Sequence, residues 1–132
     1  MSAQWVIQEA VYAALNNSLT LSALISDVYD DVPATAAFPY VVIGESTAIT
    51  WDTKSTLGIE ATVTVHTWSR YRGRKETKLI QQAIYDILHN QELSITGYNS
   101  VYCFLDFEEN FLDEDGLTRH GVSRYRLVTT EV

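Results

Sequence analysis

A chain of 132 residues, 46% apolar and 20% charged, fits one globular domain spanning residues 1–132 and excludes wholesale disorder. Its formal net charge of −8 sets it against general nucleic-acid binding but leaves it open to a protein partner that offers a basic patch. No run approaches the roughly 20 apolar residues that cross a bilayer. Met1 to Ala10 has no basic region followed by an apolar one, and the single Cys103 has no partner for an internal disulfide, so assembly in a reducing cytoplasm, without a membrane, is expected.

Ser2 can cap a first helix whose apolar residues Ile7, Ala10, Val11, Ala14 and Leu15 fall at helical spacing; Asn16-Asn17-Ser18 ends it. A shorter helix from Thr20 would bury Leu21, Leu24 and Ile25. Val28 to Pro33 reads as a short strand stopped by proline, and Tyr40 to Glu45 as a second, opened by Pro39 where a missing N–H costs no ladder bond. Ser46 to Gly58 reads as a long polar connection around Trp51, a tryptophan placed either to contact a partner or to pack. Ile59, Ala61, Val63 and Val65 then alternate with Glu60, Thr62, Thr64 and His66, the pattern of a half-buried strand.

Arg74 to Asn90 predicts the longest helix, with Leu79, Ile80, Ala83, Ile84, Ile87 and Leu88 forming one apolar face. After Gly97, two β segments, Val101 to Leu112 and Leu117 to Thr130, flank Asp115-Gly116, a dipeptide suited to a hairpin turn. The expected class is α+β: a mostly antiparallel mixed sheet, an N-terminal helix and a long central helix packed on it, and an extended C-terminal β-hairpin.

Catalytic and metal chemistry find little support. Asp113-Glu114-Asp115-Gly116 opens like a calcium loop, but Arg119 and His120 stand where further ligands belong. His66, His89 and His120 are dispersed, with one cysteine to join them, so no metal and no cofactor are expected. Cys103 lies in the apolar run Val101 to Leu105, where a buried small side chain is the simpler reading than a nucleophile. Asp30-Asp31 and Glu108-Glu109 are adjacent acids that strand alternation would send to opposite faces.

Charge is segregated instead. Arg70, Arg72, Arg74, Lys75 and Lys78 put five of nine basic residues within nine positions, and Asp106 to Asp115 holds six of seventeen acids. These are either two solvated surfaces or complementary patches that guide association. The candidate interface is therefore Arg70, Arg72, Arg74, Lys75 and Lys78, with Trp51 and the tip residues Asp113, Glu114 and Asp115.

Six stretches in order resemble the bacteriophage tail completion family. They are Val28-Tyr29-Asp30-Asp31-Val32-Pro33, Phe38-Pro39-Tyr40-Val41-Val42-Ile43-Gly44, Trp51-Asp52-Thr53-Lys54, His66-Thr67-Trp68-Ser69-Arg70, Gly73-Arg74, and Asp115-Gly116-Leu117-Thr118-Arg119-His120-Gly121-Val122. The resemblance implies a tail terminator or tail-to-head joining protein of long-tailed phages, prophages and gene transfer agents. It implies no enzyme and no cofactor. It implies a structural virion protein at the head-proximal end of the tail: a ring of copies, typically hexameric, that ends tail-tube polymerisation and receives the head connector. Its partners would be other copies of itself, the tube protein and the connector or head-completion protein, while DNA traverses the ring without specific binding. Pro33 and Pro39 would set strand ends, and Tyr40 and Trp68 supply packing area. A head-side adaptor and a small acidic module acting on a host protein are the alternative readings.

Overall fold

The structure, a computed structural model, describes residues 3–132. Helices α1 (Gln4–Asn16) and α2 (Leu19–Ser22) come first, then strands β1 (Val28–Tyr29), β2 (Tyr40–Thr50) and β3 (Gly58–Ser69). Helix α3 (Lys75–Leu88) follows, and β4 (Tyr98–Leu112) and β5 (Arg119–Glu131) complete the chain. The strands form one sheet in the order β1-β2-β3-β5-β4, in which β1 runs parallel to β2 and the other pairs are antiparallel. This is the expected α+β class. The C-terminal hairpin is built into the sheet, because β5 pairs with β3 along its length as well as with β4.

Helices α1 and α3 cover one face, α3 lying across β3, β5 and β4 and α1 against β2. Between them lie Ile7, Val11 and Leu15 of α1, Ile80, Ile84 and Leu88 of α3, and Val41, Val63, Val65, Cys103, Tyr125 and Leu127 of the sheet, all buried. Each large aliphatic member contributes roughly 1.5–3 kcal/mol when taken out of water. Gly121 permits the close approach of α3: a Cβ there would stand 2.8 Å from both Gln81 Nε2 and Thr77 Cγ2.

Several boundaries differ from expectation, each for a physical reason. The Ser2 cap lies outside the described residues; Ala3 occupies the N-cap of α1 and offers no side-chain bond. Ser18, rather than Thr20, starts α2, its hydroxyl accepting from the Leu21 N–H. Only Val28 and Tyr29 pair in β1. Ser46 to Thr50 is strand, not loop: a bulge at Gly44-Glu45 interrupts the alternation that would have revealed it, and pairing resumes at Ser46↔Val63. Thr62 and Thr64, expected on the wet side of β3, are buried, since Thr47 of β2 and Arg126 and Arg124 of β5 stand beside them.

The apolar face of α3 is also displaced. Leu79 is 48% exposed, and Gln81 takes the inward position together with Thr77, Ile80, Ile84 and Leu88. Positions one residue apart on a helix differ by about 100°, so a face counted one residue too wide admits an outsider. The connection between β4 and β5 runs from Asp113 to Thr118 and is longer than a two-residue turn, closed by the Asp113 N–H donating to the Thr118 carbonyl at 2.8 Å. Gly116 sits in it at φ 68°, a conformation that favours glycine.

Candidate functional site

Strand directions decide which candidate residues can meet. β3 ends at Ser69 and β5 begins at Arg119, its pairing partner, so the basic loop after β3 and the acidic turn before β5 emerge at the same end of the sheet. Arg70 spans the two. Its guanidinium lies over the Phe38 ring at 4.3 Å, and its Nε donates to Thr118 Oγ1 at 3.3 Å. Trp51 sits at the other end, its N–H donating to the Gly58 carbonyl at the start of β3. Twelve residues of strand separate these ends, about 36 Å. Trp51 therefore belongs to a different surface from the charged candidates.

The acidic turn is held by its own groups. The Asp115 carboxylate accepts from the Leu117 N–H at 2.8 Å, the Thr118 N–H at 2.8 Å and the Thr118 hydroxyl at 2.6 Å. These bonds, with a smaller contribution from Arg70, hold its pKa down at about 2. Asp113 is half-buried and Glu114 exposed. Arg72, Arg74, Lys75 and Lys78 are exposed and form no ion pair among the described residues.

On the face away from the helices, register assembles what sequence spacing hid. Pairing of Trp68 with His120 and of His66 with Val122 brings two histidines 54 positions apart into contact. His66 Nε2 lies 2.6 Å from Glu45 Oε1, and His66 Nδ1 lies 2.7 Å from His120 Nε2. If His66 donates to the carboxylate, the contact between its Nδ1 and His120 Nε2 needs one further proton, which either ring can carry. Burial, then the neighbouring His66, lowers the His120 pKa; the bond from His66 lowers that of Glu45. Gly44 makes room, since a Cβ there would stand 2.6 Å from the His66 ring. The row ends in aromatic rings: Trp68 stacks on His120 at 3.8 Å and Phe111 meets it edge-on at 4.9 Å. It packs the sheet surface rather than presenting a nucleophile.

The same face carries Arg126 between Glu60 at 3.2 Å and Asp106 at 3.3 Å, with Arg124 over the Phe107 ring at 4.5 Å. Two bulges in β4, around Val101 and Asp106, aim these groups. Cys103 is fully buried on the helix side, and burial pushes its thiol up to about 12, which removes it as a nucleophile at neutral pH. His89 accepts from the Leu105 N–H and stacks on Tyr85, apart from the other histidines. No group of three or more His, Cys, Asp or Glu that could hold a metal ion occurs among the described residues, and no described helix is long and apolar enough to cross a membrane.

A further feature escaped the sequence. Between α1 and β1 lies a groove of about 660 Å³, walled by the rings of Trp5, Tyr12 and Tyr29 and edged by Glu9, Asp27, Asp30 and Asp31. Trp5 is 62% exposed. Asp27, Asp30 and Asp31 lie within five positions of one another, and the docking of α1 beside β1 brings Glu9 to them. Asp30 and Asp31, expected on opposite faces of a strand, lie beyond the two paired residues of β1 and edge the groove together.

Comparison with known proteins places this arrangement. The chain overlays on a chain of the structure "Virion of native gene transfer agent (GTA) particle" with a TM-score of 0.90, 98% of each chain covered and 21% identity, which establishes the shared fold. It overlays on the structure of the bacteriophage SPP1 gp17 protein with a TM-score of 0.65 and 25% identity, covering 95% of this chain and 88% of that one. In sequence it is 28% identical over 120 residues to "Tail completion protein gp17" of Bacillus phage SPP1, 91% of this chain and 89% of the relative. The SPP1 protein and the matched family are structural tail completion proteins, as the resemblance implied, and not enzymes. The description "Tail completion protein gp17" matches residues 9–130, from the first helix to the last strand, and on that match the chain belongs to the tail completion protein gp17 family.

Proposed function

We propose that this chain is a virion protein that completes the tail of a long-tailed phage or a related particle. Copies of it close into a ring, typically hexameric, on the head-proximal end of the tail tube. The ring ends tube polymerisation and offers the surface to which the head connector docks. The observation that carries this reading is the family match over nearly the whole chain, with no large insertion to house a separate activity.

The electrostatics are compatible with such a place. A net charge of −8 suits a ring through which DNA must slide, because repulsion keeps the duplex off the wall. A closed ring needs two different surfaces on each subunit. The exposed Arg72, Arg74, Lys75 and Lys78 supply one of them. Basic side chains at the start of α3 oppose the helix dipole by a few tenths of a kcal/mol each, so helix stability does not account for them, whereas carboxylates of a neighbouring molecule do. Trp51, at the far end of the sheet, is available to a different partner such as the tube protein or the connector.

Deleting the gene and imaging the particles tests this. Filled heads separate from tails, with tails longer than normal, are the expected result. Joined heads and tails of normal length would refute it.

A further inference from the structure

We infer that the groove between α1 and β1 receives the basic loop and the first turn of α3 of a second copy of this chain, so that Arg72, Arg74, Lys75 and Lys78 of one subunit meet Glu9, Asp30 and Asp31 of the next. The inference rests on the self-assembly in the proposed function and names the counter-surface that the basic loop requires. The acidic turn between β4 and β5 is a poor candidate for that role. It stands beside the basic loop in the same subunit, and the Asp115 carboxylate is engaged by three hydrogen bonds within its own turn.

The groove has what the turn lacks. Glu9, Asp30 and Asp31 are exposed and form no ion pair among the described residues; Asp30 accepts one bond, from Gln8 at 3.0 Å. The exposed rings of Trp5 and Tyr12 face the same space. A guanidinium or ammonium entering it finds carboxylates and aromatic faces together, and the planar guanidinium of Arg can stack on those faces. At about 660 Å³ the groove has room for more than one long side chain. The loop and the groove share no residue, so the contact is of the head-to-tail kind that can repeat and close.

The test uses the full chain as an equal mixture of a light and an isotopically heavy preparation, treated with a carbodiimide that joins carboxylates to lysine amines in direct contact. Mixed-isotope links from Lys75 or Lys78 to Glu9, Asp30 or Asp31 are expected. Their absence, or mixed links from these lysines to Asp113 or Glu114 instead, would overturn the inference. Charge reversal supplies a second measurement on variants shown to be folded by circular dichroism. Asp30→Lys with Asp31→Lys, read on the Glu9 links that remain, or Arg72→Glu with Arg74→Glu, read on all of them, should each reduce mixed links about tenfold, through like-charge contact. Combining all four changes in one chain should restore links between groove and loop. If neither reversal reduces them, or the combination restores nothing, the inference fails. The deletion phenotype is independent of these links, so unjoined heads without mixed links would sink the inference alone.

Discussion

Replacing Gln81 with Leu asks what holds the β4–β5 hairpin to the rest of the domain. Gln81 is 3% exposed, and its amide reaches across from α3 to both hairpin strands. Its Nε2 donates to the Glu109 carbonyl at 3.0 Å and lies 3.5 Å from the Val122 carbonyl and 3.4 Å from Ser123 Oγ; its Oε1 accepts from Asn110 Nδ2 at 3.5 Å. Only the first is short enough to count in full, so the direct loss is about 1 kcal/mol. The Glu109 carbonyl, left without this partner, adds a desolvation cost, which the extra apolar surface of Leu offsets in part. The net expectation is a destabilisation of about 1.5–3 kcal/mol, or roughly 6–12 °C in Tm for a domain of this size.

Gln82→Leu is the control, because Gln82 is exposed and its side chain bonds, among the described residues, to Asp86 alone, at 2.9 Å; it should cost less than about 0.5 kcal/mol. Denaturant unfolding measures both. Amide exchange locates the effect, which should appear as faster exchange from Glu109 to Leu112 while the centre of β3 stays protected. Equal costs for the two variants, or unchanged exchange in the hairpin, would refute the assignment of Gln81 as the tie.

Other outcomes follow from the titrating groups and the core. The Asp115 carboxyl should titrate near 2 by NMR; because this is below the unfolded value of about 3.9, its contribution is complete above that pH and is lost as pH falls towards 2. Asp115→Ala should loosen the turn and erase that transition. His120, whose pKa is lowered by burial and His66, is held neutral in the fold against the opposing pull of Asp113 and Glu45. Stability should therefore decrease as pH falls below the unfolded histidine value of about 6.5, and His120→Phe should flatten that slope in pH-dependent denaturation. Cys103→Ala should cost about 1–2 kcal/mol and leave particle joining intact, while the native thiol should react with a disulfide reagent no faster than the chain unfolds. A fast-reacting Cys103 would mean that the strand opens locally.

The residues that identify the elements are close together in the sequence, and that is why the elements were legible. The 3.6-residue spacing of Ile80, Ile84 and Leu88, the alternation from Ile59 to Val65, and the Asp115-Gly116 turn are each stated within a few positions. So was the interior place of Cys103. The family resemblance was legible too, because it is carried by short runs in a fixed order. What the tertiary structure decided are relations between distant segments. The place of β5 between β3 and β4, the parallel β1 at the edge and the contact of His66 with His120 depend on which strands bury one another's faces, and no local pattern encodes that choice. The bulge at Gly44-Glu45 hid half of β2 by breaking a period of two. The exchange of Leu79 for Gln81 on the inner face of α3 came from the carbonyls of a hairpin some thirty to forty residues away, which required an amide where periodicity asked only for a hydrocarbon. The acidic groove exists for the same reason: its carboxylates and rings lie on α1 and beside β1, and packing on a shared core brings them to one edge.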